Sequence, residues 1–297
     1  MQKTAFTIIL FYRFAKIKNP EAFKMKQQKI ASSFNLTGRI LVGKEGLNGT
    51  LEGKTVDIKK YINNLKKQSF FKKVVFKQSA GNGYAFPKLK VKVRDEIVTL
   101  GAGKFDVKKE TAKVITATEL DKMFDAASAK GSGGSKEDFT ILDLRNDYEI
   151  EAGYFEKTVH PGLRFFRELP GKLKNIEHLK SKKVVAVCTG AIRCEKATCF
   201  LKKKGFKNIY QLKDGIHSYI QKYPGKRFKG SLFVFDNRIT TEVVDTKNRE
   251  VVGRCFYCTA VCEDFYNDDS IRPSKKVICC KRCIMKQGSH LRQAVTV

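Results

Sequence analysis

The amino-terminal part of the chain alternates between short apolar runs and segments whose apolar side chains recur every three or four residues. Short runs of β-favouring residues predict strands, and the wider spacing predicts helices with one buried face. The predicted order is strand, helix, strand, strand, helix, strand, over Phe6–Phe14, Pro20–Phe34, Gly38–Lys44, Leu47–Glu52, Thr55–Gln68 and Val74–Lys77. This is the split β-α-β plan of a ferredoxin-like domain, which we expect within residues 1–110.

A further strand, predicted over Phe86–Arg94, alternates strictly between basic and apolar side chains. Strand geometry places its basic side chains on one face and its apolar side chains on the other. Like charges in a row repel unless an anion lies against them. The pattern fits a solvated outer face and an RNA-binding face about equally, with a return strand predicted over Glu96–Leu100. The candidate RNA-binding residues are Lys88, Lys90, Lys92 and Arg94.

The middle of the chain, residues 111–227, alternates strands with helices, which is typical of a parallel α/β sheet. The sequence Thr116–Glu119 resembles a helix-initiating capping box. The glycine-rich stretch Ala127–Lys136 fits a flexible loop, either within the domain or as a linker. The clearest later elements are strands over Phe139–Leu144, Lys183–Val187 and Ile209–Gln211 and a helix over Cys194–Lys204.

Residues 228–297 form a third segment with one β-like run, Ser231–Phe235, and little sustained periodicity. A tail of this length buries little apolar surface and needs a covalent or metal cross-link. The expected fold class is therefore multidomain, α/β and α+β: a ferredoxin-like domain, a parallel α/β domain and a small Cys-rich module.

Composition and charge narrow the class of protein. The chain has 297 residues, 42% of them hydrophobic, which excludes a wholly disordered chain. It has 59 basic against 30 acidic residues, a formal charge of +29, which favours a polyanionic partner, although a general lysine bias is an alternative. No apolar run approaches a bilayer span, and no leader peptide opens the chain, so we expect a cytoplasmic protein.

The nine cysteines lie in two clusters, which argues against a secreted disulfide framework. In the first, Cys188 and Arg193 form a Cys-x4-Arg loop between a predicted strand and helix. The helix amino terminus and Arg193 both favour the thiolate, so we expect Cys188 to be nucleophilic. Cys194 fits a resolving thiol or a small helix residue, and Cys199 fits core packing. The candidate catalytic residues are Cys188, Arg193 and Cys194.

The second cluster contains two Cys-x2-Cys pairs separated by 21 residues. Paired knuckles of this kind supply the four thiolates of a tetrahedral structural zinc site, and an iron–sulfur cluster is the lesser alternative. Cys262 and Cys279 are left over as substitute ligands or parts of a second site. The candidate metal ligands are Cys255, Cys258, Cys280 and Cys283.

Several stretches, taken in order, carry a family resemblance. Cys-x4-Arg with Ile141–Arg145 upstream looks like a rhodanese domain. The longer set of stretches is Gly38–Thr50 (GRILVGKEGLNGT), Arg145–Glu149 (RNDYE), Phe166–Pro170 (FRELP) and Cys188–Lys196 (CTGAIRCEK). Together these stretches resemble the rhodanese-containing tRNA uridine 5-hydroxylases, except that Ala191 stands where glycine is expected.

The resemblance implies an oxidoreductase that hydroxylates C5 of the wobble uridine, position 34, of tRNA. It implies dioxygen as co-substrate and Cys188 as the active, persulfide-type cysteine. No organic cofactor, membrane or protein partner is recognisable. The alternatives are a thiosulfate or persulfide sulfurtransferase and a non-catalytic RNA-binding zinc protein.

The charge is concentrated away from the thiol. Residues 1–110 contain 24 basic and 8 acidic residues, against 23 and 14 in residues 111–227. The first domain is therefore expected to hold the tRNA, and the second to carry the chemistry.

Overall fold

The computed structural model describes residues 5–129, 139–241 and 250–294. These residues form two compact units, the first ending at Thr99 and the second beginning at Leu100. The three-domain division at 110/111 and 227/228 stays a prediction.

The first unit is a mixed five-stranded sheet in the order β4-β1-β3-β2-β5. Its first four strands have the ferredoxin-like order, so that prediction is confirmed, and β5 adds an edge strand parallel to β2. The elements are β1 (Phe6–Phe14), α1 (Pro20–Ser33), β2 (Thr37–Gly43), β3 (Gly46–Lys54), α2 (Thr55–Lys66), β4 (Phe76–Gly81) and β5 (Leu89–Val93).

One face of this sheet packs against α1 and α2. In α2 the side chains predicted on one helical face, among them Ile58 and Tyr61, are buried against Ile9 and Phe11 of β1. The α1 helix begins where the Asn19 side chain accepts a hydrogen bond from the Ala22 amide at 3.0 Å. The core of this unit is therefore a helix layer on one sheet face.

The predicted return strand over Glu96–Leu100 is wrong, since these residues form bends and irregular backbone. Side chains satisfy the backbone of Ile97 in place of a neighbouring strand. Its amide donates to the Glu45 carboxylate at 2.8 Å, and its carbonyl accepts from the Asn48 side chain at 2.9 Å. A sequence pattern alone does not reveal such distant side-chain partners.

The second unit is built on a parallel five-stranded sheet in the order β6-β11-β10-β7-β9. The predicted parallel α/β domain is confirmed, and Thr116 and Glu119 form the predicted capping box. Its elements are α3 (Val107–Glu110), β6 (Lys113–Ile115), α4 (Ala117–Ala129), β7 (Phe139–Asp143), α5 (Asp147–Ala152), β8 (Gly153–Phe155), β9 (Thr158–Val159), β10 (Lys183–Val187), α6 (Ile192–Lys203), β11 (Ile209–Leu212) and α7 (Gly215–Lys222).

The carboxyl-terminal part of this unit contains more strand than its sequence predicts. Its first strand, β12, pairs antiparallel with the distant β8, and β13 pairs antiparallel with β14. A three-stranded antiparallel sheet follows, in the order β16-β15-β17. The elements are β12 (Phe228–Gly230), β13 (Leu232–Phe233), β14 (Thr240–Thr241), β15 (Phe265–Asp268), β16 (Lys275–Ile278), α8 (Lys281–Gln287) and β17 (Leu291–Gln293).

Most of the predicted loop Ala127–Lys136 lies outside the described residues, which resume at Phe139 after α4. None of the helices in the described ranges has the length and apolar character to cross a bilayer.

Candidate active site and metal centre

The thiol loop follows β10 directly: Cys188 is the first residue after the strand, and α6 begins at Ile192. The amino terminus of α7 closes one side of the loop, since the Ile216 amide donates to the Cys188 carbonyl at 3.0 Å. A Cβ on Gly215 would lie 2.7 Å from the carbonyl oxygens of Cys188 and Thr189. Glycine at this position is therefore what allows α7 to approach the loop so closely.

Ala191 has a left-handed backbone conformation, with φ of 76°. A residue with a Cβ is strained there by about 1–2 kcal/mol, which explains why the resemblance predicts glycine. Alanine nevertheless completes the turn into α6, and the loop keeps its hydrogen bonds to α7.

The Cys188 thiol is buried in this loop. Burial alone would raise its pKa. The thiol hydrogen bond from Cys194, the charge of Arg193 and the backbone amides of Cys194 and Arg193 outweigh burial and lower the pKa to about 5. At neutral pH Cys188 is therefore a thiolate, the form that acts as a nucleophile.

The Cys194 sulfur has the opposite protonation state to that of Cys188. Burial raises its pKa well above the ordinary value, and the hydrogen bond to Cys188 and the Cys188 charge add to that effect. It therefore remains a thiol that donates to the Cys188 thiolate. The two sulfurs therefore form a hydrogen-bonded pair, in which the Cys194 thiol donates and the Cys188 thiolate accepts.

Arg193 is bound to a partner that the sequence analysis did not select, the buried carboxylate of Glu149 in α5. Its two terminal nitrogens lie 2.5 and 2.8 Å from the two carboxylate oxygens. Glu149 also accepts from the Thr189 hydroxyl at 3.1 Å and from the Asn146 amide at 2.9 Å. One carboxylate thus connects the thiol loop, α6 and the start of α5.

A second buried ion pair braces the same region. Arg145 donates to Asp143 at 2.6 Å, and to the carbonyl oxygens of Glu149 and Gly153 at 3.2 and 2.7 Å. It fixes the end of β7 to α5 and β8, which positions Glu149.

Cys199, expected in the core, is buried in α6 and donates to the Glu195 carbonyl at 3.1 Å.

The four cysteines of the two knuckles come together in the carboxyl-terminal module. The sulfur atoms of Cys255, Cys258, Cys280 and Cys283 all lie within 4.8 Å of one another, and those of Cys258 and Cys280 are 3.6 Å apart. Tetrahedral zinc, with bonds of about 2.3 Å, places its sulfur ligands about 3.8 Å apart. The four residues therefore fit a metal ion such as zinc.

Local backbone structure shapes each knuckle. The amide of Cys255 donates to the Ala260 carbonyl at 2.8 Å, which folds the first knuckle into a tight turn. In the second, Cys280 precedes α8 and Cys283 lies in its first turn. A metal held there would connect the turn, α8 and the three-stranded sheet, which supplies the cross-link expected for this module.

Cys262 and Cys279 are not part of the four-sulfur cluster, although both pack beside it. Burial, followed by the charge on Cys255, raises the pKa of each to about 12. Both therefore remain protonated, and Cys279 donates to the Cys280 carbonyl at 3.6 Å.

The predicted basic strand is β5 at the edge of the first sheet, flanked by Lys88 and Arg94. Its apolar residues, Leu89, Val91 and Val93, pack against the core as the alternation predicts. Lys88, Lys92 and Arg94 are exposed and Lys90 is half-buried.

Three family models match consecutive parts of the chain. Residues 6–97 match the UPF0176 acylphosphatase like domain, residues 116–222 the rhodanese-like domain, and residues 229–293 the rhodanase C-terminal region. The tRNA uridine(34) hydroxylase of Onion yellows phytoplasma (strain OY-M) is 38% identical over 92% of this chain and 87% of that protein. The chain belongs to the tRNA uridine(34) hydroxylase family.

A second family member, from Bacillus licheniformis, is 35% identical over 93% of this chain and 84% of that protein. Among solved structures, a rhodanese-related protein from Thermoplasma volcanium is 23% identical, covers 37% of this chain and 93% of its own, and has a TM-score of 0.29. Membership of the tRNA uridine(34) hydroxylase family confirms the resemblance carried by the ordered motifs.

Proposed function

We propose that this protein is an oxidoreductase that hydroxylates C5 of the uridine at position 34 of tRNA, giving 5-hydroxyuridine with dioxygen as the oxidant. The observation that carries the proposal is the Cys188 thiolate, held at a pKa of about 5 inside a rhodanese-like loop. Relatives named tRNA uridine(34) hydroxylase, similar along nearly the whole chain, supply the substrate class.

In the proposed reaction the Cys188 thiolate adds to C6 of the uracil ring and leaves an enolate whose electron density lies on C5. The enolate transfers two electrons to dioxygen and, with one proton, becomes a C5 hydroperoxide. The Cys194 thiol attacks the outer oxygen, which breaks the O–O bond and leaves a C5 hydroxyl and a sulfenic acid on Cys194.

Loss of the C5 proton then expels the Cys188 thiolate and restores the aromatic ring as 5-hydroxyuridine. Cys188 condenses with the sulfenic acid of Cys194, giving a disulfide and water. An external dithiol reduces the disulfide by exchange. Overall, uridine, dioxygen and two thiols give 5-hydroxyuridine, water and one disulfide.

The surrounding residues have supporting roles in this proposal. Arg193 stabilises the thiolate, and Glu149 is a positioning residue that fixes Arg193 and Thr189. Both sulfurs are buried, so the uracil reaches Cys188 only after residues around the loop move aside. Lys88, Lys90, Lys92 and Arg94 contact the tRNA backbone. Cys255, Cys258, Cys280 and Cys283 hold a structural zinc ion, and no organic cofactor is required.

The direct test is reconstitution of the purified full-length chain with tRNA, a dithiol and ¹⁸O-labelled dioxygen, followed by mass spectrometry of the nucleosides. We expect 5-hydroxyuridine with one heavy oxygen. Cys188→Ser should bind tRNA with wild-type affinity and form no product. Cys199→Ala, a matched change of a buried thiol outside the loop, in α6, should retain activity. Loss of tRNA binding in Cys188→Ser would contradict the nucleophile role.

The rhodanese-like loop also supports a second candidate, a sulfurtransferase that carries persulfide sulfur on Cys188. Turnover of thiosulfate without RNA or oxygen would favour that function. Nucleoside analysis of tRNA from a strain without this protein separates the two. Loss of 5-hydroxyuridine derivatives supports hydroxylation, loss of thiolated bases supports sulfur transfer, and unchanged nucleosides would indicate a non-catalytic RNA-binding protein.

A further inference from the structure

The loop between β4 and β5 presents an exposed aromatic side chain, Tyr84, which is 80% accessible to solvent. Most tyrosines bury their ring and keep only the hydroxyl in water, because the ring is a large apolar surface. On this ordered loop the ring presents an apolar face to solvent, where a ligand can reach it.

The loop is fixed by a buried carboxylate. Glu52 of β3 accepts hydrogen bonds from three loop amides, those of Asn82 at 3.0 Å, Gly83 at 2.9 Å and Ala85 at 2.8 Å. The Asn82 side chain accepts a further bond from the Tyr84 amide at 2.9 Å. The backbone on both sides of Tyr84 is thus held by charge-assisted or local hydrogen bonds.

Apolar packing against the sheet and the absence of a side chain at Gly81 also hold the loop in place. Ala85 and Phe86 are buried against Ile8 of β1. A Cβ on Gly81 would lie 2.6 Å from a Glu52 carboxylate oxygen. Any larger residue at position 81 would therefore displace the carboxylate that binds the loop amides. Because the loop is already ordered, a ligand that stacks on Tyr84 loses little loop entropy on binding.

The sheet face that carries Glu52, the residue that anchors the loop, also carries basic side chains. Lys88 follows Tyr84 at the end of the loop, and the register places Lys90 of β5 directly opposite Arg39 of β2. Arg39 lies opposite Thr50, two residues from Glu52 on the same face of β3. The side chain of Glu52, which binds the loop amides, therefore lies on the sheet face opposite α1 and α2. The side chains of Arg39, Lys90 and Lys92 lie on the same face.

We propose that Tyr84 stacks on an unpaired base of the RNA substrate while Lys88, Lys90 and Lys92 contact the adjacent phosphates. An aromatic ring combined with a row of lysines is the chemistry that binds single-stranded RNA without reading its sequence. The inference rests on the proposed function for its ligand, an RNA with unpaired bases, and adds the residue that engages the base.

The chain contains no tryptophan, so Tyr84→Trp introduces a single fluorescent ring at the proposed contact. Titration of the full-length variant with an anticodon stem-loop RNA should quench that fluorescence, because base stacking quenches indole emission. Phe70→Trp is the matched control, an aromatic of the same unit that is 59% exposed but lies outside this loop. Its emission should change little, and a fully paired RNA duplex should quench neither variant strongly.

Affinity measurements separate stacking from charge. Tyr84→Ala should weaken stem-loop binding about 10-fold with an unchanged salt dependence, and Tyr84→Phe should bind like the wild type. Lys90→Ala should weaken binding and also reduce the salt dependence. Thermal unfolding of each variant, unchanged from wild type, verifies that the loop change leaves the fold intact.

The outcomes distinguish this inference from the proposed function. If the wild type binds the stem-loop but Tyr84→Trp is not quenched, or Phe70→Trp is quenched in its place, the inference is wrong and the proposed function is unaffected. If the wild type binds no RNA, both fail. Quenching together with the loss of affinity in Tyr84→Ala supports the inference even if 5-hydroxyuridine is not the product.

Discussion

Arg193 and Glu149 form a bidentate ion pair beneath the thiol loop, with nitrogen–oxygen distances of 2.5 and 2.8 Å. Both side chains are buried, so each charge depends on the other for compensation. The pair fixes the direction of the guanidinium and reduces the net positive charge of the loop. A loop arranged in this way stabilises one thiolate, and offers less attraction to a doubly charged phosphate than an unpaired arginine would.

Glu149→Gln should destabilise the protein strongly, by about 3–5 kcal/mol, because it leaves the Arg193 charge buried without its counter-charge. Urea unfolding followed by circular dichroism measures the change. Glu177→Gln is the matched control, since Glu177 pairs with Lys180 at 2.8 Å on the surface, where solvent screens the pair and it contributes little to stability. Equal effects of the two substitutions would contradict the structural importance of the buried pair.

Cys188 should react as a thiolate over the whole neutral range. Since its pKa is about 5, alkylation by iodoacetamide should be nearly independent of pH between 6 and 8. An ordinary thiol, with a pKa of 9.0, reacts about tenfold faster per pH unit over that range. Mass spectrometry of the peptide that contains Cys188 follows the reaction site by site.

Cys194→Ala removes the thiol donor and should raise the Cys188 pKa, so that alkylation becomes pH-dependent. Cys199→Ala, on the same helix but bonded to the Glu195 carbonyl, should not change the profile. A pH-independent profile in Cys194→Ala would mean that the amides and Arg193 suffice without the second sulfur.

The same shift predicts how folding stability depends on pH. The unfolded thiol has a pKa near its ordinary value of 9.0, whereas the folded pKa is about 5. Between these values the unfolded state binds more protons, so the contribution of Cys188 to stability grows as pH rises from 5 to 9 and is lost below 5. Cys188→Ser should flatten this part of the stability profile measured by urea unfolding.

Ala191→Gly tests the strain in the loop. Glycine adopts the observed φ of 76° without a Cβ clash, which relieves about 1–2 kcal/mol, but its freer unfolded chain offsets about 0.4–1 kcal/mol. We expect a net stabilisation of up to about 1.5 kcal/mol. Ala197→Gly, in the interior of α6, should instead destabilise the protein by about 1 kcal/mol or more. Stability changes of opposite sign for the same substitution at these two positions would follow from their different backbone conformations. Destabilisation by Ala191→Gly would contradict the strain at position 191.

The sequence predicts those parts of the fold that depend on local periodicity. The βαββαβ order, the capping box at Thr116 and the buried face of α2 all follow from spacing along the chain. The Cys-x4-Arg loop and the four knuckle cysteines are likewise visible as short motifs. In each case the determining residues are close together in sequence.

The missed features depend on long-range contacts. Glu149 lies 44 residues from Arg193, and only its place in the Arg145–Glu149 motif marked it beforehand. The irregular backbone at Ile97 is satisfied by Glu45 and Asn48, about fifty residues earlier. The strands β15 to β17 have three or four residues each, too few to show a period.

Removal of the metal should unfold the carboxyl-terminal module selectively. The four sulfurs connect a turn, α8 and the three-stranded sheet, whose own apolar core is small. We expect one zinc ion per chain by elemental analysis. Cys258→Ser should lose the ion and expose residues 250–294 to limited proteolysis, while the thiol loop keeps its reactivity. Cys262→Ser, a change at a cysteine beside the cluster but outside it, should retain the zinc. Zinc loss in Cys262→Ser, or full zinc content in Cys258→Ser, would show that the ligand set differs from the four residues that the geometry brings together.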